Sequence, residues 1–381
     1  MKKFSTLRIL HHHLSLLNRN PPFSLCFNFK FATIPHAHSF VVSYLVSTCG
    51  FSPESALSAS RHLRFHSPQK PDSVLAFFSA HGFSVSQIRS IVKRESRILL
   101  CNPDKVLLPK FLFLRSKGAS AADIVHMITT GPRFLLRSLN NNIVPTYLFV
   151  KSFVESDKQI ITCLKRNLSF IGDSRLSSNV QILLDNGVKR SSIAMLFTMW
   201  PSILCTYNLS HTVSELKEMG FETSTSTFAV AMLARRTVNK AKWDDKVEVF
   251  KKWGWSEEHV LVAFKKHPYC MLTAREKTDA VFSFWVEVLG YNSLELLKYP
   301  VIFQLSLPKR IVPRSLVLRF LAKEGLRKKG ASNCTPILVT ENAFLNKFVN
   351  CFEKHSSQLL KMYEKSKNEG NTGKEEKNVC L

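Results

Sequence analysis

Acidic residues are scarce in this 381-residue chain: 28 Asp and Glu face 53 Lys and Arg, and none precedes Glu54. A folded protein with so one-sided a charge either repels itself or meets a polyanion. The usual signatures of catalysis are missing too. There is no Gly-rich phosphate loop, no HExxH and no GxSxG, which argues against nucleotide, zinc-protease and serine-hydrolase sites. The nine cysteines form no CxxC pair and keep no regular spacing with histidine, so neither a zinc site nor a disulfide framework is expected, and no cofactor is implied. One long stretch lacks charge, Ser191–Ser214, and its length could span a bilayer. Pro201 and the polar residues of its second half make it read as a buried repeat segment instead. No membrane association and no enzymatic activity are expected.

What the chain has is internal repetition. GASAADIVHMITTGPRFLL, from Gly118, matches in pattern GFSVSQIRSIVKRESRILL, from Gly82. Gly50, Gly187, Gly220, Gly254, Gly290 and Gly325 open comparable segments, with steps of 32, 36, 69, 33, 34, 36 and 35. The step of 69 holds two periods, its missing start falling near Val154. Fixed self-similarity near this length marks a stacked repeat protein.

Within a unit, apolar residues recur six positions after the start (Ile88, Ile124, Ile160, Ile193, Val260), at nine (Ile91, Met127, Cys163, Leu196) and at ten (Val92, Ile128, Leu164, Phe197, Val230, Phe264). That spacing puts them on one face of a helix. Ser84 with Gln87, and Ser120 with Asp123, fit capping boxes, and Ser52-Pro53 fits an N-cap followed by proline at N1. A further anchor stands at seventeen: Leu99, Leu135, Ile171, Leu204, Met271. Proline precedes it by three residues at Pro132, Pro201 and Pro268, and ends the first helix. A second helix then runs to the next glycine, expected over Pro109–Lys117 and Pro145–Phe153, and the glycine stops it. Each unit therefore reads as helix, short turn, helix, and the fold as an all-α solenoid in which neighbours share one core. Cys163 reads as a small core residue.

The ends depart from the pattern. Residues 1–45 carry Lys2, Lys3, Arg8, Arg19 and Lys30 without an acid, as an organellar transit peptide does. The run His11-His12-His13 inside it needs no metal. Broken apolar stretches argue against a secretory signal, so the sequons at Asn167, Asn208 and Asn333 carry no meaning. The tail from Ser366 is polar and expected to be disordered, and Cys380 fits no prenylation box. The array proper spans 46–365.

Charge is the functional signal. Five positive charges stand in the leader and the last sixteen residues balance three Lys with three Glu, which leaves +20 of the +25 to residues 46–365. Positions eleven and twelve hold Lys93-Arg94, Lys165-Arg166 and Lys265-Lys266; position fifteen holds Arg97, Arg133 and Arg235. Arg137, Arg236, Lys309, Arg310 and Arg314 lie close to the same phase. Repetition of one phase draws a line along a solenoid, and a line of cations can track a phosphate backbone. The competing reading makes them caps at the negative ends of first helices. Trp253, Trp255, Tyr269 and Trp285 read as seam residues rather than platforms for unpaired bases.

The ordered set of leads (GFSVSQI, GASAADI, GVKRSSI, GWSEEHV), turns (GPRFLL, WPSIL, HPYCML) and helix starts (LLPKFLFL, IVPTYLFV) resembles the mitochondrial transcription termination factor family (mTERF), especially its plant members. The stretch FVVSYLVSTCGFSPESALSAS looks like the start of such an array, and the resemblance covers about residues 40–360. It departs at Val154 for glycine, at Ala234 for proline, and at Pro300, only ten residues after Gly290. The resemblance implies a right-handed α-solenoid of about eight repeats, curved, with a basic concave groove. It implies an organellar, non-enzymatic, monomeric protein. Its nucleic-acid partner is expected to be double-stranded DNA, in transcription regulation or termination, or else RNA in intron splicing or processing. Organellar transcription or splicing proteins are the expected protein partners. Mitochondrion is favoured over chloroplast by Arg8 and Arg19 in an amphipathic-looking leader. A pentatricopeptide-type RNA reader would need a regular polar pair that is absent here. A protein-binding solenoid of the TPR or HEAT kind would be expected to carry mixed charge.

Overall fold

The computed structural model describes residues 36–372. The leader residues 1–35, with the three histidines, and the tail residues 373–381 lie outside them. Every regular element among the described residues is helical, and no strand occurs. The chain divides into two compact units at His66–Ser67.

In the first unit the helices His36–Ser47 and Pro53–Ser60 pack together. Val41, Leu45, Ala56 and Leu63 are buried, and Phe65 meets Tyr44 edge-on at 5.5 Å. The first of these helices begins inside the segment read as a leader, 1–45. Burial of Val41 and Leu45 is the reason: the apolar run belongs to a core. Ser52 caps the second helix by accepting the Ser55 amide, ahead of Pro53 as expected.

The second unit is the solenoid. Its first helices are short and regular: Val85–Arg94, Ala121–Thr130, Asp157–Arg166, Arg190–Met199, Ser226–Thr237 and Glu257–Lys266. Both expected capping boxes form, and Ser156/Gln159 and Ser256/His259 add two more. Each first helix packs against the next in order. The anchors at positions six, nine and ten are buried, most of them at 2 % exposure or less. Burying each such side chain stabilises by about 1.5–3 kcal/mol. Cys163 is fully buried among them.

The proline-marked turn is a 3-10 helix, seen at Ser96–Leu100, Pro132–Leu136, Leu168–Phe170, Pro201–Cys205, Pro268–Met271 and Pro300–Gln304. Gly131, Trp200, His267 and Tyr299, the residues before proline, leave the helical region with φ between -131° and -152°, as the proline ring requires. The position-seventeen anchors Leu99, Leu135, Ile171, Leu204 and Met271 are buried by these turns. Ala234, where proline is missing, shows the converse: the helix Ser226–Thr237 runs straight through and no 3-10 turn follows.

Second helices start earlier than expected. Those predicted from Pro109 and Pro145 begin with π turns at Pro103–Leu107 and Leu139–Ile143 and continue as Leu108–Ser116 and Val144–Lys151. Pro313 repeats this after the π turn Leu307–Ile311. Each proline thus lies inside a helix rather than at its start. A proline there has no amide to donate and crowds the preceding carbonyls. The wider π turn, closed by Leu108 N–H to Pro103 O and Val144 N–H to Leu139 O, accommodates it. The period-opening glycines all sit at positive φ, between 68° and 89°. At Gly118 this closes a Schellman end, with Ala119 N–H on Leu114 O at 3.1 Å. Val154, where its unit has no glycine, is buried. In the compressed unit a 3-10 helix, Ser293–Lys298, replaces the first helix.

Successive units are stapled by a repeated device. A polar side chain on one second helix reaches the backbone at the following unit's 3-10 turn. Lys110 Nζ donates to Leu135 O at 2.7 Å and Val106 O at 2.9 Å. Asn179 Nδ2 donates to Leu204 O at 2.9 Å and Thr206 O at 2.8 Å. Lys246 donates to Thr273 O, and Lys277 to Gln304 O at 2.7 Å. Thr146 does the reverse, accepting the Gly172 amide at 3.1 Å. Helix Arg190–Met199, turn Pro201–Cys205 and helix Leu209–Glu218 cover the uncharged stretch 191–214, and among the described residues no helix is long and apolar enough to cross a membrane. At the other end, helix Ser356–Thr372 runs past Ser366, against the expectation of disorder there, because Lys367 pairs with Glu341 at 2.6 Å.

Removing a staple leaves a buried carbonyl unpaired. Lys110→Met and Asn179→Leu should each cost about 1–3 kcal/mol in urea unfolding, while exposed Lys105→Met stays within about 0.5 kcal/mol; equal midpoints for all three would remove the staple. Lys246 gives a pH signature. Burial lowers its ammonium from the usual 10.5 to about 8. The folded state releases this proton first, so stability rises with pH between those values. Lys246→Met should lose that rise in unfolding curves taken at intervals from about pH 8 to pH 10, and parallel wild-type and variant profiles would exclude the effect.

Candidate nucleic-acid interface

The inward face of each first helix is spent on positions six, nine and ten, so positions eleven and twelve face outward. Lys93-Arg94, Lys165-Arg166 and Lys265-Lys266 are all exposed. The twelfth-position cations reach forward to the next unit. Arg94 donates to Thr130 O at 3.0 Å, Arg166 to Thr198 O at 2.5 Å, and Lys266 to Leu297 O at 3.2 Å. These carbonyls close the following helices, where partial negative charge collects. The cations are therefore caps, but of the neighbour's helix rather than their own, and they stay at the surface. At position eleven Lys165 reaches back to Asp123. The hydrogen bond from Lys165, then those from Ser120, hold that carboxyl down at about 2. Lys93 and Lys265 have no ion-pair or hydrogen-bond partner among the described residues.

Position fifteen is organised by acids. Glu95, only 6 % exposed, accepts Arg97 in a two-point bond at 2.7 and 2.9 Å and Arg133 of the next unit at 3.3 Å. The Arg97 hydrogen bond lowers its pKa against the opposing effect of burial. Two exposed guanidinium groups from adjacent units are thus held by one buried carboxylate. Arg235 pairs with Glu215 and lies 4.9 Å over the Trp243 ring. Arg137 donates to Ser169 O at 3.4 Å, and Arg236 is exposed and unpartnered among the described residues.

Three residues of the expected row sit elsewhere. Arg314 is 1 % exposed and donates to Pro336 O, Ile337 O and Val339 O, with Glu341 at 3.2 Å. It is the staple of the last junction, not a surface cation. Arg310 is half-buried on Ile337, Leu338 and Val339 carbonyls, and burial lowers its pKa. Lys309 is half-buried. All three belong to the start of a second helix, whereas the row follows the ends of first helices.

Trp255 and Trp285 are buried, and Trp253 donates to Asp279 at 2.7 Å and stacks on Phe282, so these are seam residues as expected. Tyr269 differs. It is half-exposed, 6.2 Å from Trp200 and 5.6 Å from His267, whose Nε2 meets Gln304 at 2.8 Å. The two aromatic turns meet across the unit that lacks a 3-10 turn.

Sequence reasoning misses the organising acids Glu95 and Glu215, the pairing of the capping residue Asp123 with Lys165, and the staples. A signal for some staples exists: Lys110, Thr146 and Arg314 each follow the second-helix proline directly. Glu95 carries none, since its partners lie at positions fifteen of two different units. Among the described residues no group of three or more His, Cys, Asp or Glu side chains could hold a metal.

The mTERF family model matches residues 75–236 and again 171–345. No curated protein matches the chain.

Arg94→Ala and Arg166→Ala should each lower stability by about 0.3–1 kcal/mol, because the neighbouring helix end goes uncapped. Lys93→Ala and Arg236→Ala should leave the melting temperature unchanged. If all four melt alike, the forward bonds contribute nothing to stacking.

Proposed function

Because the chain belongs to the mTERF family, a family of organellar nucleic-acid-binding repeat proteins, we propose that it binds double-stranded DNA and regulates or terminates transcription in the organelle. One observation supports this most: exposed cations recur from Lys93 to Lys266 at the ends of first helices, with a gap in the unit opened by Gly187, in an array carrying +20. Arg94 and Arg166 use one N–H of their guanidinium on a carbonyl, and an arginine has five to give. The remaining donors suit phosphate oxygens. Glu95 holds Arg97 and Arg133 ready for the same task, and the unpartnered Lys93, Arg236 and Lys265 supply point charges. Lys165, Arg137, Arg235 and Lys266 complete the row. Contacts of this kind position a protein on a duplex without reading its sequence. The mechanism is passive: a monomeric array lies along the duplex as a roadblock, or as a platform for the organellar polymerase. The basic leader favours the mitochondrion over the chloroplast.

A second reading has its own support. Half-exposed Tyr269, close to Lys265 and Lys266 in sequence, and half-exposed Trp200 beside it suit unpaired bases, as an RNA-processing role would use.

Fluorescence anisotropy across a salt series, with duplex DNA and single-stranded RNA of equal length, separates the readings. Duplex binding should weaken steeply with salt. Lys93→Glu/Arg236→Glu/Lys265→Glu should lower the slope of log K against log salt by about one for each phosphate that is no longer neutralised. Preference for RNA, abolished in Tyr269→Ala, would replace transcription with processing. Absence of binding to either at low salt would end both readings.

A further inference from the structure

Beyond the cation row, a groove of about 450 Å³ opens near the C-terminal end of the array. None of the residues lining it belongs to the row. Leu326, Phe348 and Phe352 form its apolar floor above buried Leu321, and Lys328 and Lys347 stand at its rim. Leu326 is 38 % exposed, and both phenylalanines are only half-buried. An apolar floor left open in this way is the form taken by sites for partner helices.

The surrounding charge selects the partner. Lys323, Lys329 and Lys354 are exposed on the segments that bound the groove. Together with Lys328 and Lys347 they make five ammonium groups without an ion-pair or hydrogen-bond partner among the described residues. Arg327 is occupied: it donates to Asn333 at 2.7 Å and Ser332 O at 2.6 Å, which holds the loop forming one wall. Among the acids of this region, Glu341 is consumed by Arg314, Tyr363 and Lys367, and Glu295 accepts from Asn333 at 3.4 Å, leaving Glu324 and Glu353 against the five lysines.

We propose that this groove docks an acidic amphipathic helix of a partner protein. Two or three large apolar side chains at i, i+3 or i+4, and i+7 would sit on Leu326, Phe348 and Phe352. Carboxylates flanking them would meet Lys328 and Lys347. A bare polyanion would gain nothing from the apolar floor, and an uncharged apolar helix would forgo the rim. The inference stands independently of the nucleic-acid reading.

The test uses the full chain and a fluorescent peptide of about 18 residues, five helical turns, bearing Leu and Phe on one helical face and Glu on the other. The comparison peptides are a scrambled one of the same composition and one with Lys in place of Glu. The acidic amphipathic peptide should bind saturably, at least tenfold tighter than either comparison. Lys328→Glu/Lys347→Glu should weaken it tenfold or more, and Lys93→Glu/Lys265→Glu should leave it unchanged. Both lysines of the first pair are exposed and unpartnered among the described residues, so the fold tolerates the change, and an unaltered melting temperature checks this. The proposal is overturned if the peptide fails to bind, if the scrambled peptide binds equally well, or if row variants abolish binding. Displacement of the peptide by duplex DNA in the Lys93→Glu/Lys265→Glu background would give the groove to nucleic acid instead.

Discussion

Three of the 3-10 turns, at Leu135, Leu204 and Gln304, present carbonyls that the preceding unit satisfies, and burial makes an unpaired carbonyl cost about 1–3 kcal/mol. The donor comes from the preceding unit: Lys110 for Leu135, Asn179 for Leu204 and Lys277 for Gln304; at the last junction Arg314 does the same for Ile337, in the short α-helix Thr335–Leu338. A unit is therefore incomplete in its hydrogen bonding as well as in its core. Stacking removes both deficits together, which ties the spacing of units to hydrogen-bond geometry rather than to apolar contact alone. Arg94, Arg166 and Lys266 apply the same rule at the ends of the first helices.

The charge of the array consequently divides into two populations. Lys110, Arg310 and Arg314 are structural; the first and last are buried, Arg310 is half-buried, and all three face carbonyls. Lys93, Arg236 and Lys265 stand at the surface, unpartnered among the described residues. Arg94 and Arg166 belong to both, because a guanidinium can hold a carbonyl with one edge and present another. Any count of cations overstates the surface field by the first group. The acids do not merely dilute the charge: Glu95 orients two arginines from separate units.

First helices are legible because three independent local signals coincide in them: the apolar face at positions six, nine and ten, the serine caps, and the glycine that precedes them. All are set by residues within one turn or two of each other. The starts of the second helices are misread because proline signals a beginning, while the π turns before Pro109, Pro145 and Pro313 depend on backbone widening that leaves no mark in composition. Arg314 falls in with the surface row for a related reason. Its phase resembles that of the row, but its burial depends on carbonyls 22 to 25 residues away. Trp255 and Trp285 are placed correctly from sequence, since their phase sets them on the seam.

The unit opened by Gly220 breaks the regular scheme. Without a proline at Ala234 it forms no 3-10 turn, so it offers no carbonyl to staple, and Glu215 meets Arg235 instead. The turns on either side, carrying Trp200 and Tyr269, touch each other directly. In a simple repeat array only adjacent units are coupled, and unfolding can advance one unit at a time. Here the units at Gly187 and Gly254 are coupled across the one between them. A contact that skips a unit favours the opening of these three together, so fraying that starts at either end of the array meets an added barrier at its middle.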